Sequence, residues 1–270
     1  MYVVSDIVLP VIPPFTLLTF RLLFGGFVLA FLLLTRNKPI DMTRPKLLRL
    51  LGVGVLGFGV SIGAQFVGTD LSTAMNGSLI TSASPAFIVL FAVLILRERL
   101  TPRRIIAIVL ATVGVLFIID ISQANFGSQT FWGDLALVAA ALTWGLYSVL
   151  VRAVSKDTDT LVVTLFAFYG GSLLTIPAML VETNTRPTGE ITLPIVLGVL
   201  YLGVVSTAVA MWLWNRAFAL VDASVASLFF FAQPLVGAVL SALVLGQPFT
   251  GGMLIGSVLI AAGVLLALRE

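Results

Sequence analysis

The chain has 270 residues, 59% of them hydrophobic and 10% charged, with a mean hydropathy of +1.15, and these values exclude an ordinary water-soluble domain. Cysteine and histidine are both absent, which removes disulfides, thiolate nucleophiles, the usual zinc sites and an imidazole proton relay, so neither a cofactor nor a metal site is expected. The net charge of +3 sits in short stretches between apolar segments, a signature of membrane topology rather than of nucleic-acid binding.

A membrane-crossing helix needs about 20 mostly apolar residues. Met1 to Ile12 is too short, is closed by Pro10, Pro13 and Pro14, and lacks the basic start and cleavage site of a secretory signal. It reads as the outer half of a helix. Nine full segments follow: Phe15–Leu34, Leu47–Val67, Leu71–Leu96, Ile105–Ile121, Phe131–Val154, Thr160–Val181, Leu193–Ala217, Asp222–Leu245 and Gly252–Leu268.

Along these segments, Arg21 is the one strong charge inside a span. An ionisable residue there suggests function, here attraction of a substrate anion; it is also about two turns from the outer end, so snorkelling is the competing reading. Gly52-Val-Gly54-Val-Leu-Gly57 has the form of a nucleotide-binding fingerprint, but it lies inside a span with no strand before it, and close helix packing explains it better. Gln65, Asn76, Ser84 and Gln233 are polar side chains within spans that are candidates to line a binding site, with local hydrogen bonding to the preceding turn as the plainer reading for serine. Pro85 and Pro234 are expected to kink their helices. Trp144 and Tyr147, at i and i+3, together with Trp212 and Phe230, either wall a pocket for an amphipathic molecule or pack helices. Trp132, at a span end, reads as an interfacial anchor.

The charges orient the chain. Counting the N-terminal piece as the first of ten spans, the loops after the even-numbered spans and the C-terminus hold 13 of the 15 Lys and Arg residues, which predicts that these loops and the C-terminus face the cytoplasm.

The sequence also repeats. Ala74, Ser78, Pro85, Thr101 and Gly114 recur 149 positions later as Ala223, Ser227, Pro234, Thr250 and Gly263, while Gly57 matches Gly203 at 146 and Gly25-Gly26 matches Gly170-Gly171 at 145. Each half then holds five helices, an odd number, so the second half enters the membrane from the opposite side. Arg103-Arg104 after Thr101 against Gly252-Met253 after Thr250 agrees with that inversion. Because Tyr2 falls on Tyr147, the counterpart of Phe131 to Leu146 is expected to precede Met1. The expected organisation is a first repeat over 1–121, a connecting loop over 122–130 and an inverted second repeat over 131–270.

The two stretches Ala74 to Gly114, with Pro85, Glu98, Leu100 and Thr101, and Ala223 to Gly263, with Pro234, Phe249 and Thr250, resemble the EamA-type family of the drug/metabolite transporter superfamily. In the second stretch Gln247-Pro248 stands where the family has an acidic residue and its neighbour. The resemblance implies an all-α, polytopic membrane bundle of ten helices in two inverted five-helix repeats, the first helix incomplete here. It implies a carrier in the bacterial inner membrane for amino acids, other small metabolites or drugs, working by alternating access as an exporter, and no enzymatic activity. Its partners would be the small-molecule substrate and the bilayer. A membrane enzyme acting on a lipid-linked substrate, and a channel or scaffold, are the alternatives.

Overall fold

In the computed structural model of the protein, residues 4, 7–36, 42–72, 80–118, 130–231 and 251–267 are described, and every regular element among them is helical. Five helices are long and apolar enough to cross a bilayer: α1 (Pro14–Thr35), α2 (Arg44–Thr69), α5 (Phe131–Val154), α6 (Thr160–Thr185) and α7 (Leu193–Leu220). Shorter helices are α3 (Ser84–Leu96), α4 (Pro102–Ile118), α8 (Ala223–Ser227) and α9 (Gly251–Ala267). Large apolar side chains such as Phe27 (71% exposed) and Leu34 (77%) point outward, as they must when lipid is the solvent. The fold is an all-α polytopic membrane bundle.

Proline sets many of the starts. α1, α2, α3, α4 and α7 each carry one in the first turn, namely Pro14, Pro45, Pro85, Pro102 and Pro194, where its missing N–H costs no helical bond. This changes the expectation for Pro85. Instead of kinking a continuous helix, it follows a break: the chain turns at Ser82 and Ala83, and α3 begins at Ser84. Pro234 lies outside the described residues.

Two long helices widen in mid-span to i→i+5 hydrogen bonding, α2 over Val55–Ser61 and α7 over Val204–Val209. Ser61 and Thr207 are 146 residues apart, the spacing that also relates Gly57 to Gly203, so the two halves of the sequence carry the same irregularity in nearly the same place. Such bulges are costly in a regular helix and concentrate at functional sites.

The chain divides into two compact units, Met1–Gly63 with Leu150–Leu220, and Ala64–Val149 with Val221–Glu270. In the first, α1 and α6 run antiparallel: Thr16 meets Glu182, Leu22 meets Gly171, and Arg36 pairs with Asp159. Small residues bring the backbones together. A side chain at Gly25 would lie 3.0 Å from the Phe168 ring and 3.2 Å from the Gly203 carbonyl, and Gly54 and Gly170 press directly on the backbones of Ala167 and Leu51. The N-terminal piece packs Val8 and Ile12 against Ile195, Val199 and Leu202 of α7.

In the second unit, α4 and α9 pack through their glycines. A methyl on Gly114 would stand 2.8 Å from the Gly256 carbonyl oxygen, and one on Gly263 would stand 2.7 Å from that of Ala107. The pairing of 114 with 256 and of 107 with 263 makes these helices antiparallel.

Candidate functional site

The polar interior of the first unit is built around Arg21. It projects from α1, is only 6% exposed, and donates from Nε to Thr207 Oγ1 at 3.0 Å. Thr207 in turn donates to the Leu202 carbonyl, five residues back, at 2.7 Å. The widened stretch of α7 brings Leu202 O and Thr207 together, so the bulge itself shapes the guanidinium's partner. Gly203 contributes by leaving room: a side chain there would meet Phe24 Cβ at 3.0 Å and Arg21 Cα at 3.8 Å. Arg21 therefore turns inward and does not snorkel.

Other polar groups share this interior. Thr19 on α1 and Thr175 on α6 are fully buried, and their hydroxyls, like Trp212 Nε1 on α7, have no hydrogen-bond partner among the described residues. Further along, Asn215 is fully buried and donates to Thr164 Oγ1 at 3.0 Å, which ties α7 to α6.

In the second unit, Tyr147 is fully buried on α5 with its ring 5.1 Å from that of Trp144 and tilted by 35°. Between them Gly145 lets α5 touch α3, where a side chain would meet Phe87 Cβ at 2.8 Å. Ser84 is buried and spends its hydroxyl on the Thr81 carbonyl at 2.7 Å, the local alternative for a serine. Gln65 is half-buried, and its main-chain carbonyl accepts from Thr69 Oγ1 at 2.8 Å. Phe230 is half-buried in the tight helical turn Leu228–Phe231 that follows α8. Asn76 and Gln233 lie outside the described residues.

The structure thus gathers Arg21 and Trp212 in one unit, and Gln65, Ser84, Trp144, Tyr147 and Phe230 in the other. Thr207 escaped the sequence reading. Its signal was available, since the repeat spacing of 146 aligns it with Ser61 and both are hydroxyl residues inside apolar spans.

Two carboxylates hold helix starts, a role the sequence did not assign them. Glu182, on α6, accepts from Phe15 N at 3.2 Å, Thr16 N at 2.8 Å and Thr16 Oγ1 at 3.1 Å, closing the start of α1. Glu98 does the same at the start of α8, accepting from Ala223 N at 2.8 Å, Ser224 N at 3.2 Å and Ser224 Oγ at 3.0 Å. Each satisfies first-turn N–H groups that have no partner within their own helix. Arg97 takes the left-handed conformation (φ 57°) at the end of α3, Glu98 reaches α8, and Thr101 Oγ1 accepts from Arg104 N at 3.3 Å to cap α4. Among the described residues no group of three His, Cys, Asp or Glu is placed to hold a metal ion.

A helical membrane protein with a buried arginine, paired small-residue packing and mid-span bulges can be compared with known proteins. The EamA-like transporter family matches residues 1–120 and 131–269. The chain is 28% identical to the uncharacterized transporter YyaM of Bacillus subtilis over 80% of this chain and 70% of that one, and 26% identical to YetK of the same organism over 97% and 80%. It is 24% identical to an uncharacterized transporter of Archaeoglobus fulgidus over 94% and 87%. A crystal structure of another protein, 23% identical, superposes with a TM-score of 0.83 over 96% of this chain and 89% of that one, which shows the shared fold. With the family matched along nearly its whole length, the chain belongs to the EamA-like transporter family and is a membrane transporter of small molecules, not an enzyme.

Proposed function

We propose that this transporter is an alternating-access carrier for a small metabolite, an amino acid or a related compound, or for a drug, and that it works as an exporter in the cell inner membrane. Its ten helices form two five-helix halves, 1–121 and 131–270, joined by 122–130 and inverted relative to each other, with the C-terminus in the cytoplasm. The packing of α4 on α9 carries this reading. Gly114 and Gly263 are repeat equivalents, and so are their contacts, Gly256 with Ala107 and Ile260 with Ala111, all at a spacing of 149. Such reciprocity is what a two-fold axis produces. Because the equivalent helices run antiparallel, the axis that relates them lies in the membrane plane, as in carriers built from inverted repeats.

Within this reading Arg21, held by Thr207, attracts an anionic group of the cargo, and Trp144, Tyr147, Trp212 and Phe230 supply aromatic walls. Gln65, Asn76 and Gln233 offer hydrogen bonds. Ser84, whose hydroxyl is already engaged, serves the start of α3.

Purified protein in liposomes should exchange labelled compounds from a panel of amino acids, organic acids and cationic drugs. Failure to move any of them above empty vesicles would remove the carrier reading. Inversion has its own test in a chain that contains no cysteine. Arg103→Cys and Gly251→Cys, at exposed positions opening α4 and α9, should react with an impermeant maleimide from opposite faces of the membrane. Labelling from one face alone would defeat it.

A further inference from the structure

We propose that the clasp of Glu98 on the start of α8 is a latch that releases and re-forms during transport. The inference rests on the transporter reading above.

Its parts come from distant places in the sequence. Glu98 holds the Ala223 and Ser224 amides and the Ser224 hydroxyl, across 125 residues in the first case. Arg104, at the start of α4, completes it: Nη2 lies 2.8 Å from Asp222 Oδ2, and Nη1 donates to Ser224 Oγ at 3.3 Å. The left-handed turn at Arg97, the only non-glycine positive φ among the described residues, aims Glu98 at α8.

Three observations separate a latch from a fixed staple. First, the element it holds is short. α8 has five residues before it tightens into Leu228–Phe231, and α3 on the facing side starts afresh after the break at Ser82 and Ala83. The similar clasp of Glu182 instead closes a 22-residue helix packed along α6. Second, the latch is partly wet. The Asp222 side chain is 38% exposed, so water can take over its bonds when it opens. Third, what lies beneath is dry. Ala226 and Ser227 are buried, and Leu228 and Phe231 pack with Ala107, Ala111 and Ile260. Opening the latch uncovers that layer, and closing it seals the layer again. In sequence, the residues in register with Glu98 and Arg104 in the second half are the uncharged Gln247 and Met253, so the ionic version of this device is written into one half only.

The test uses the 270-residue chain, which contains no cysteine. Ser227→Cys, a near-isosteric change at a buried position, is titrated with an impermeant maleimide on membrane vesicles of each orientation. The thiol should react slowly in the parent and about tenfold faster when Glu98→Gln removes the charge from the acceptor. Ser224→Ala should give a smaller increase. Ala167→Cys, fully buried on α6 in the other compact unit, should not respond. Equal Ser227→Cys rates with and without Glu98 would overturn the latch, and so would a matching rise at Ala167→Cys, which signals general loosening. Arg103→Cys in the same vesicles reports the face on which this end lies. If it labels from outside, the proposed topology fails, while the Glu98 comparison made from that face still decides the latch.

Discussion

Alanine at Gly54 or Gly170 should lower the unfolding free energy by about 3 kcal/mol, the upper part of the range for inserting a group into a packed interior. At Gly54 the added Cβ would fall on the Ala167 backbone, and at Gly170 on that of Leu51. Both obstacles are main chain within helices, so no side-chain rotation relieves them, and α2 must separate from α6. The control is two residues away. Gly52 belongs to the same glycine-rich stretch but has nothing within 4 Å of its would-be Cβ. Gly52→Ala should be neutral or stabilising by up to about 1 kcal/mol, since alanine favours the helix. Thermal unfolding of the purified variants in detergent compares them directly. Equal melting temperatures for Gly52→Ala and Gly54→Ala would show that the helices are not in backbone contact there.

The second large effect concerns Arg21, and it should fall on transport rather than on folding. Arg21→Met keeps the length and apolar stem, loses the bond to Thr207, and also relieves the cost of burying a charge, so the melting temperature should stay close to the parent's. Transport of an anionic cargo should fall at least about tenfold, the loss expected when a charge-assisted hydrogen bond to a carboxylate is removed. Arg21→Lys should recover only part, because an ammonium cannot present a second donor to the cargo in the planar geometry that holds Thr207. Metabolite profiling of cells with and without each variant supplies the readout while the cargo is being identified. If Arg21→Met retained full transport, the guanidinium would be a packing element, and aromatic contacts would have to carry recognition.

Helix positions were legible where chemistry marks their ends. Phe131–Val154 was bounded in sequence as it stands in the structure, with Gly133-Asp134 near one end and Arg152 near the other, and Phe15–Leu34 differs from Pro14–Thr35 by one residue at each end. What hydropathy could not show was irregularity inside a span. The widened segments of α2 and α7 are as apolar as their surroundings, and the turn at Ser82 and Ala83 lies inside a run that reads as one helix. Proline at position 85 was visible, but whether it bends a helix or opens one depends on the neighbouring hydrogen bonds. For the site, Arg21 stood out as a charge in an apolar stretch. Its direction became evident only once Thr207, 186 residues away, was placed beside it. The contacts of Glu98 and Glu182 were hidden for the same reason: in sequence they are loop-end acids, and their partners are amides on other helices.

The Glu182 clasp bears on how the protein is made. The first turn of α1 finds its acceptor 166 residues downstream in the Thr16 bond. At ribosomal speeds of several to about 20 residues per second, roughly ten to thirty seconds separate the synthesis of the two partners. Throughout that interval the Phe15 and Thr16 amides have to be served by water or headgroups at the bilayer edge, so the nascent first hairpin waits, unfinished, for a segment still to be translated.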